Sequence, residues 1–439
     1  MDRGDPLAAA DTLLPVDSGR RRARGSFRPS RMEEPHVSAL RLPSDQDATG
    51  RSFGPEELDA LRAVLDSGVL TATKGEWTKR LQAELSSLFG IEHVIACASG
   101  SAAVHVAVAG IDPEPGQEII TTSITDMGAL SAILYQGAIP VFADVDPLTM
   151  NVTADTIAAR ISDRTCAIVV THLFGNPCQM DPILALAAQH SIPVIEDSAQ
   201  SFLGASQGRC TGTMGTIGCF STQQGKHITS GEGGFVVTAD AALARRMRMF
   251  VNKAWPYGES NPDHEFLAPN YRITELQSAV IAAQLPKLSE NVRVRIANAD
   301  RLSKQLDGVA GLGPPVVAAG DTHCYWRYGL RVDGAVVPGG PVSLAAELKF
   351  YDIAAAPRYV NKPAFRCKVI ADQVTFGSSR WPFSLARPEA VDYAPERFPG
   401  TFRGLDEILV LPWNERFTTE HVDFLALSIQ EAVAKLASR

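Results

Sequence analysis

The sequence lacks the features that mark several large classes of protein. Its seven cysteines are scattered, odd in number and without a C-x-x-C pair, so neither a disulfide framework nor a metal site is expected, and a reducing, cytoplasmic compartment is the default. It has no excess of basic residues: the formal net charge is −8, which gives a nucleic-acid partner no electrostatic support. No apolar run approaches the ~20 residues that cross a bilayer, which argues against a membrane role.

Residues 1–52 differ in composition from the rest of the chain. They are rich in Arg, Pro, Ser, Asp and Gly and carry a basic cluster at Arg20–Arg24. Such a segment has little apolar surface to bury, which predicts a disordered or loosely attached extension; a nucleic-acid- or partner-binding arm is the alternative. The chain therefore divides into this extension, a large domain at 53–308 and a small C-terminal domain at 309–439.

Short β-rich runs alternate with helical runs from residue 53 onwards. Strands are predicted at HVIACAS, EIITT, IPVFADV, CAIVVTH, IPVIED and GCFST, several of them apolar on both faces, as is typical of strands covered by helices on both sides. This alternation predicts an α/β fold with a mostly parallel, doubly wound sheet. A long helix from Ile273 to about Leu306, broken or kinked at Pro286, then leads to a smaller α/β lobe.

Three of the features that could bind a ligand follow predicted strands, at the edge where open parallel sheets bind ligands. Ser99, Gly100 and Ser101 open a helix, and their free N–H groups can hold a phosphate; a plain N-cap is the alternative. Asp197 directly follows an apolar strand, where a carboxylate needs a partner such as a cationic ring nitrogen; a helix cap is again the alternative. Ser221, at the end of GCFS, can also bind phosphate.

The fourth feature is Lys226 in the stretch FSTQQGKHITSGEGG, between small polar residues and a glycine-rich turn. Partial burial would lower its pKa and make the neutral amine available for imine formation, whereas the commonest fate of a lysine is an exposed loop. Gln200 lies one turn beyond Asp197 on the same side. A phosphate seat, a carboxylate and an imine-forming lysine are together what pyridoxal 5′-phosphate (PLP) requires, so we predict PLP as the cofactor and Lys226 as the catalytic residue.

Several blocks of the sequence resemble the DegT/DnrJ/StrS-type aminotransferases of sugars and cyclitols, which are PLP enzymes of fold type I. The blocks are SGSAAVHVA, EIITTSITDMGA, PVFADVD, HLFGNPCQMDPI, PVIEDSAQSFLGA, GTIGCFSTQQGKHITSGEGG and PNYRITELQSAVIAAQL. The resemblance implies that Lys226 forms the Schiff base, that Asp197 pairs with the pyridine nitrogen and that Gln200 contacts the hydroxyl side of the ring. The phosphate contacts that it implies come from Gly100, Ser101 and Ser221.

The resemblance also implies a homodimer with shared active sites. In this family the NYR segment crosses the dimer interface, so Asn270 or Arg272 would reach the phosphate or substrate of the neighbouring subunit. Many members carry an aromatic residue, stacked on the cofactor, where this chain has Asp126. Asp126 is therefore assigned to the cofactor site, with capping of the following helix as the alternative.

Candidate substrate residues come from the lysine loop and from two segments of the small lobe, THCYWRYGLRV and AAPRYVNKPAFRC. They are Gln224, Tyr325, Trp326, Arg327, Arg358 and Tyr359. Packing within the lobe is the favoured interpretation of the aromatic residues. Arg327 and Arg358 suit the bidentate recognition of an α-carboxylate.

The activity that the resemblance implies is PLP-dependent transamination. Glutamine or glutamate would convert the cofactor to pyridoxamine phosphate, and a keto-sugar or keto-cyclitol would then take the amine, in ping-pong fashion; amino-sugar or aminoglycoside-like secondary metabolism is the expected context. Asp126 leaves open another PLP reaction, by a dehydratase, an aromatising enzyme or an oxidase, although related sugar dehydratases carry histidine in place of the lysine. A PLP-fold protein that binds without turnover is a third interpretation, disfavoured by the intact lysine, aspartate and phosphate set.

Overall fold

A computed structural model gives the structure of the protein and describes residues 40–439. The strands in this range are β1 (His93–Cys97), β2 (Glu118–Thr122), β3 (Ile139–Ala143), β4 (Thr165–Thr171), β5 (Val194–Asp197), β6 (Ala205–Ser206), β7 (Arg209–Cys210), β8 (Ile217–Ser221), β9 (Gly234–Thr238), β10 (Leu312–Gly313), β11 (Tyr328–Val332), β12 (Ala356–Pro357) and β13 (Ile408–Leu411). The helices in the same range are α1 (Pro55–Ser67), α2 (Trp77–Phe89), α3 (Gly100–Ile111), α4 (Met127–Tyr135), α5 (Ala154–Ala158), α6 (Met180–Gln189), α7 (Ala241–Val251), α8 (Glu275–Leu306), α9 (Gly340–Leu348), α10 (Lys368–Ala371), α11 (Pro399–Glu407) and α12 (Thr419–Ala437).

The larger sheet has seven strands in the order β1-β9-β8-β5-β4-β2-β3. Strands β8, β5, β4, β2 and β3 pair in parallel, and β9 lies antiparallel between β1 and β8. All residues of β2, β3, β5 and β8 are buried, because helices cover both faces of the sheet. The predicted α/β fold with a mostly parallel sheet is confirmed, and the six predicted strands all form.

Helix α8 is continuous, in contrast to the predicted break at Pro286. The helix runs from Glu275 to Leu306 with Pro286 inside it, so only the possibility of a kink is left from that prediction. Proline removes one backbone donor from a helix, and a helix of 32 residues that packs against α1, α2 and α12 can compensate for that loss. Within residues 40–439 no helix is long and apolar enough to cross a membrane.

The second sheet is antiparallel, in the order β10-β11-β13-β12, and packs with α9, α12 and the end of α8. Arg295 of α8 is fully buried. Its guanidinium pairs with Glu415 at 2.6 Å and donates to the carbonyls of Tyr325 and Trp413 at 3.0 and 3.1 Å. Arg295 therefore fixes the segment just before β11. The domain boundary at residue 308 stays a prediction.

Residues 40–52, the described part of the predicted extension, are packed on the rest of the chain. Asp45 and Arg51 are buried, the Gly50 carbonyl accepts from Asn414 at 3.0 Å, and the Ser52 carbonyl accepts from Lys287 at 2.9 Å. Residues 40–52 are therefore bound to the rest of the described chain by buried side chains and hydrogen bonds, in contrast to the predicted loose attachment. The basic cluster and the other residues of 1–39 lie outside the described residues.

Candidate active site

The carboxyl ends of β5 and β8 bring three predicted residues to one edge of the large sheet. Asp197 ends β5 and Ser221 ends β8, and these strands are parallel neighbours. The loop that follows Ser221 carries Lys226 and returns through β9, which pairs Ser221 with Gly234. Because both ends of this loop are fixed in the sheet, Lys226 is held over the edge where Asp197 lies.

Glu196 and Asp197 are adjacent, buried carboxylates with different surroundings. Glu196 accepts from three backbone N–H groups, those of Gly212, Met214 and Gly215, and from His172 Nε2 at 3.0 Å. Asp197 accepts from the Ala199 N–H at 3.1 Å and forms no ion pair with a described residue. Glu196 is therefore a structural group, whereas Asp197 is a buried carboxylate without a direct ion pair. Burial raises the pKa of Asp197, while the hydrogen bond from Ala199 and the positive charges of Lys226 and His172 act in the opposite direction.

Lys226 is partly buried, and its amine faces an aromatic ring and two acidic groups. Its Nζ lies 4.2 Å from the centre of the Trp326 ring. Burial lowers the pKa of Lys226 to about 8, while the negative charges of Asp197 and Asp126 act in the opposite direction. A substantial fraction of the amine is therefore neutral near pH 8, as imine formation requires.

The beginning of α3 forms a tight cradle against the end of β8. Ser99 caps the helix by accepting from the Ala102 N–H at 3.0 Å. A Cβ atom added to Gly100 would lie 2.6 Å from Ser221 Cβ, so the glycine allows the helix terminus and Ser221 to approach each other. Ser101 is exposed beside them. The helix N-terminus and the two hydroxyls form a suitable seat for a phosphate, in addition to the N-cap.

Asp126 caps α4, which confirms that alternative. Its Oδ1 accepts from the Gly128 N–H at 2.8 Å. A Cβ atom at Gly128 would lie 2.1 Å from Ser101 Oγ, so this cap adjoins the start of α3. Asp126 also affects the pKa of Lys226, which places its charge close to the site. The acidic side chain of Asp126 therefore both caps α4 and contributes negative charge to the lysine site.

Gln200 and Tyr359 connect the large sheet to the small lobe. Gln200 Oε1 accepts from the Phe174 N–H at 2.8 Å, and its Nε2 lies 3.3 Å from the Tyr359 hydroxyl. The Tyr359 ring packs edge-on against Phe174 and Trp326. These contacts bring a residue predicted to bind cofactor next to one predicted to bind substrate.

Trp326, whose ring contacts the Lys226 amine, and Arg327 both line a cavity of about 410 Å³. The Arg327 guanidinium stacks 4.7 Å from the centre of the Trp326 ring, and Trp326 Nε1 donates to the Gly225 carbonyl at 2.7 Å. The cavity is lined by Leu42, Pro43, Ser44, Asp45, Trp326, Arg327, Asp352, Ala354, Ala356, Tyr359, Val410, Leu411, Pro412 and Trp413. Arg327 is the only Lys or Arg among these described residues.

Three of the predicted substrate residues have other partners. Tyr325 is buried in the core of the small lobe, where its ring stacks on His323 at 3.8 Å. Arg358 has a left-handed backbone, with φ of 65°, and pairs with Asp406 at 2.9 Å. Gln224 Nε2 donates to the Asp45 carbonyl at 2.9 Å. The structure therefore retains Arg327 and Tyr359, rather than these three, beside the cavity.

Two residues that the sequence analysis did not identify complete the site. Arg51 donates to the carbonyls of Asp45 and Lys226, both at 2.9 Å, and also to that of Gln224. Asp45 Oδ2 lies 2.8 Å from Arg327 Nη1. Neither residue belongs to a periodic or motif-like pattern, so the sequence offers no signal that would have assigned them.

Asn270 and Arg272 lie in the segment before α8. Asn270 is exposed, and its Oδ1 is 3.4 Å from the Arg272 backbone nitrogen. Arg272 Nη1 is buried and has no hydrogen-bond partner within residues 40–439. The predicted contact of these side chains with a second subunit stays a prediction.

The chemistry of these groups fits PLP. Asp197 is a buried carboxylate without a direct ion pair, and Lys226 is an amine with a lowered pKa nearby. The cradle between Gly100 and Ser221 is too narrow for a side chain at residue 100 but offers helix N–H groups. A pyridinium nitrogen, an aldehyde and a phosphate would satisfy these three features in turn.

Comparison with known proteins assigns the chain to a family. Residues 52–430 match the DegT/DnrJ/EryC1/StrS aminotransferase family. GDP-perosamine synthase of Caulobacter vibrioides is 34% identical over 66% of this chain and 78% of that protein. An L-glutamine:2-deoxy-scyllo-inosose aminotransferase of Streptomyces kanamyceticus is also 34% identical, over 67% and 73%. The aminotransferase structure from Psychrobacter cryohalolentis has a TM-score of 0.77 at 27% identity, covering 88% of this chain and 98% of that one. The chain therefore belongs to the DegT/DnrJ/EryC1/StrS family and is a PLP-dependent aminotransferase of fold type I.

Proposed function

We propose that this aminotransferase moves an amino group from L-glutamine or L-glutamate to a keto-sugar or keto-cyclitol. The observation that carries the proposal is the contact of Lys226 with Trp326, because Trp326 also lines a cavity that contains one arginine, Arg327. An amino-acid donor needs a cation for its α-carboxylate, and a polyhydroxylated ring needs space and hydrogen-bonding groups. The relatives named for a sugar product and for a cyclitol substrate are equally identical to this chain, so the proposal includes both kinds of acceptor.

The roles proposed for the residues follow from their surroundings. Bound PLP supplies an electron sink for the C–H bond next to the transferred amino group. Asp197 would hold the ring nitrogen, and Gly100, Ser101 and Ser221 would hold the phosphate. Lys226, with a pKa of about 8, would move a proton to or from the substrate carbon.

The substrate side of the site is proposed to use Arg327 and Tyr359. Arg327 would bind the α-carboxylate of the donor, because it is the only Lys or Arg among the described residues that line the cavity. Tyr359, with its hydroxyl 3.3 Å from Gln200 Nε2, would offer a hydrogen bond to an acceptor hydroxyl. Trp326 would exclude water from the Lys226 amine, because its ring covers the amine at 4.2 Å.

The absorption spectrum of purified, PLP-loaded protein tests this function. We expect a yellow band that is lost on addition of L-glutamine or L-glutamate, and the donor that acts is identified by comparing the two. Transfer of the amine to a panel of keto-sugars and keto-cyclitols then identifies the acceptor by mass spectrometry. Lys226→Ala should abolish both the band and turnover, whereas Lys79→Ala, at an exposed lysine of α2, should change neither. A band that persists with both donors would contradict the proposal and favour another PLP reaction.

The active unit is proposed to be a cytoplasmic homodimer with shared sites. Leu267 is 97% exposed on the same loop as Asn270, and Arg272 Nη1 lacks a partner in the described residues; a second subunit would cover the first and pair the other. Lys226→Ala and Arg272→Ala should each be inactive. Mixing and refolding them together should restore on the order of a quarter of the wild-type activity, because each mixed dimer contains one intact site. A monomer by light scattering, or no restored activity, would contradict shared sites.

A further inference from the structure

The carboxylate of Asp45 pairs with the guanidinium of Arg327, which is the group in the cavity that could bind a substrate carboxylate. Asp45 Oδ2 and Arg327 Nη1 are 2.8 Å apart, and Asp45 is only 7% exposed. Burial alone would raise the pKa of Asp45, but the charge of Arg327 lowers it overall, so the carboxylate is ionised. Arg327 is therefore neutralised by the protein itself when no substrate carboxylate is bound.

The contact between these two groups is close but poorly aligned. Asp45 Oδ2 is buried and has no hydrogen bond of acceptable geometry with any described residue, so the attraction to Arg327 is mainly Coulombic. Arg327 Nη1 otherwise reaches only the Trp326 carbonyl, at 3.4 Å. An arginine and a free carboxylate can form two parallel, aligned hydrogen bonds, which are stronger than a misaligned pair. A substrate carboxylate can therefore compete with Asp45.

The backbone of Asp45 is held by two donors, whereas its carboxylate has one hydrogen bond besides the contact with Arg327, from Gln46 Nε2 to Oδ1 at 2.9 Å. Its carbonyl accepts from Arg51 Nε and from Gln224 Nε2, both at 2.9 Å. The same arginine binds the Lys226 carbonyl, so the segment is joined to the lysine loop. Displacement of the carboxylate then requires rotation of the Asp45 side chain together with a shift of the exposed Gln46 side chain, and it leaves the backbone bonds to the lysine loop in place.

A ping-pong aminotransferase with these substrates has to accept a carboxylate in one half-reaction and a ring without one in the other. A largely buried arginine that is left without a counter-ion costs free energy, and the Arg327 side chain is only 18% exposed. We propose that Asp45 determines specificity by exchange: it yields Arg327 to the α-carboxylate of the amino donor and returns to Arg327 when an acceptor without a carboxylate binds. This inference rests on the proposed function, because it assumes those two substrate classes.

Binding of glutarate, a dicarboxylate that cannot donate an amine, tests the exchange independently of turnover. With PLP-loaded protein in a calorimeter, Asp45→Asn should bind glutarate about tenfold more tightly than the wild type, because the competing charge is gone. Asp45→Glu should return the affinity towards the wild-type value. Asp47→Asn is the control, since Asp47 is a half-exposed carboxylate of the same segment that pairs with Arg41, and asparagine can still accept from the Thr49 N–H; this change should not alter the affinity.

A second variant separates exchange from a loss of folding. Arg327→Gln should abolish glutarate binding in both the wild-type and the Asp45→Asn background, so that the two changes are not additive. In the acceptor half-reaction, Asp45→Asn should be inhibited by glutarate at about tenfold lower concentration than the wild type. Unchanged or weaker glutarate binding by Asp45→Asn would overturn the inference and leave Asp45 as a group that orients Arg327. Absence of amino transfer by the wild type would instead contradict the proposed function, whatever the glutarate result.

Discussion

The two adjacent carboxylates at the end of β5 should respond to the same chemical change with opposite signs. Glu196→Gln replaces one oxygen by an NH2 group, which cannot accept from the two donors that face it in either orientation of the amide. Hydrogen bonds to charged groups contribute about 1.5–3 kcal/mol each. Loss of two should therefore lower the free energy of unfolding by about 3–6 kcal/mol.

Asp197→Asn should instead stabilise the cofactor-free protein. It removes a buried charge that has no direct ion pair and whose burial outweighs the attraction of Lys226 and His172, while Asn Oδ1 can still accept from the Ala199 N–H. Burial raises the pKa of Asp197 above its usual value of 3.8, so the ionised carboxylate costs stability as the pH rises above 3.8, and the cost is complete above the raised pKa. Below 3.8 the group is protonated in both the folded and the unfolded state, and the cost disappears. We expect a gain of about 1–3 kcal/mol at neutral pH that shrinks as the pH falls.

Urea unfolding of the cofactor-free proteins, followed by circular dichroism at pH 7.5 and at the lowest pH where the fold persists, measures both effects. Asp66→Asn, at an exposed position of α1, is the control and should change the free energy of unfolding by less than about 0.5 kcal/mol. Destabilisation by Asp197→Asn at pH 7.5 would refute the reasoning, since it would mean that the chain itself compensates the charge. An unchanged free energy of unfolding in Glu196→Gln would refute the structural role given to Glu196.

Three further predictions concern the lysine loop and the cradle. Arg51→Ala should lower the free energy of unfolding by about 3–5 kcal/mol and speed hydrogen exchange around Lys226, whereas Arg51→Lys should cost less; equal effects would contradict a role for the forked guanidinium. Gly100→Ala should weaken PLP binding at least about tenfold by equilibrium dialysis, because its Cβ would lie 2.6 Å from Ser221 Cβ; wild-type affinity would exclude the cradle. Burial lowers the pKa of Lys226 to about 8. The rate at which the cofactor-free protein captures PLP, followed by stopped-flow absorbance, should therefore rise about tenfold per pH unit below pH 8 and level off above it. A rate that does not depend on pH would mean that the amine is not the reacting group.

Sequence reasoning located the part of the site that the sheet itself positions. Parallel strands end at one edge, so residues that follow β5 and β8 had to meet, and Asp197, Ser221 and Lys226 are found there. Strand β9 was not predicted, yet it determines where the lysine loop returns. The role of Asp126 as a helix cap could also be predicted from the sequence, because an aspartate just before a helical run commonly caps that helix.

The remaining part depends on contacts that no local pattern encodes. Arg51 meets Lys226 across 175 positions of sequence, and its segment has the polar composition of an extension. Arg358 was expected near substrate, but its left-handed backbone, with φ of 65°, accompanies a side chain that pairs with Asp406. Spacing gives the distance along the chain to a residue, whereas the direction of its side chain is set by tertiary packing.

The turn of residues 40–52 has a practical consequence for where the chain can be shortened. The family match begins at residue 52, so a truncation placed at that boundary would delete both Asp45 and Arg51. The remaining chain would retain the sheet, Lys226 and Asp197, yet it would lose the guanidinium that binds two carbonyls of the lysine loop and the counter-ion of Arg327. A start at residue 40 keeps both groups. Comparison of the two shortened proteins would measure how much of the active site the N-terminal turn supplies.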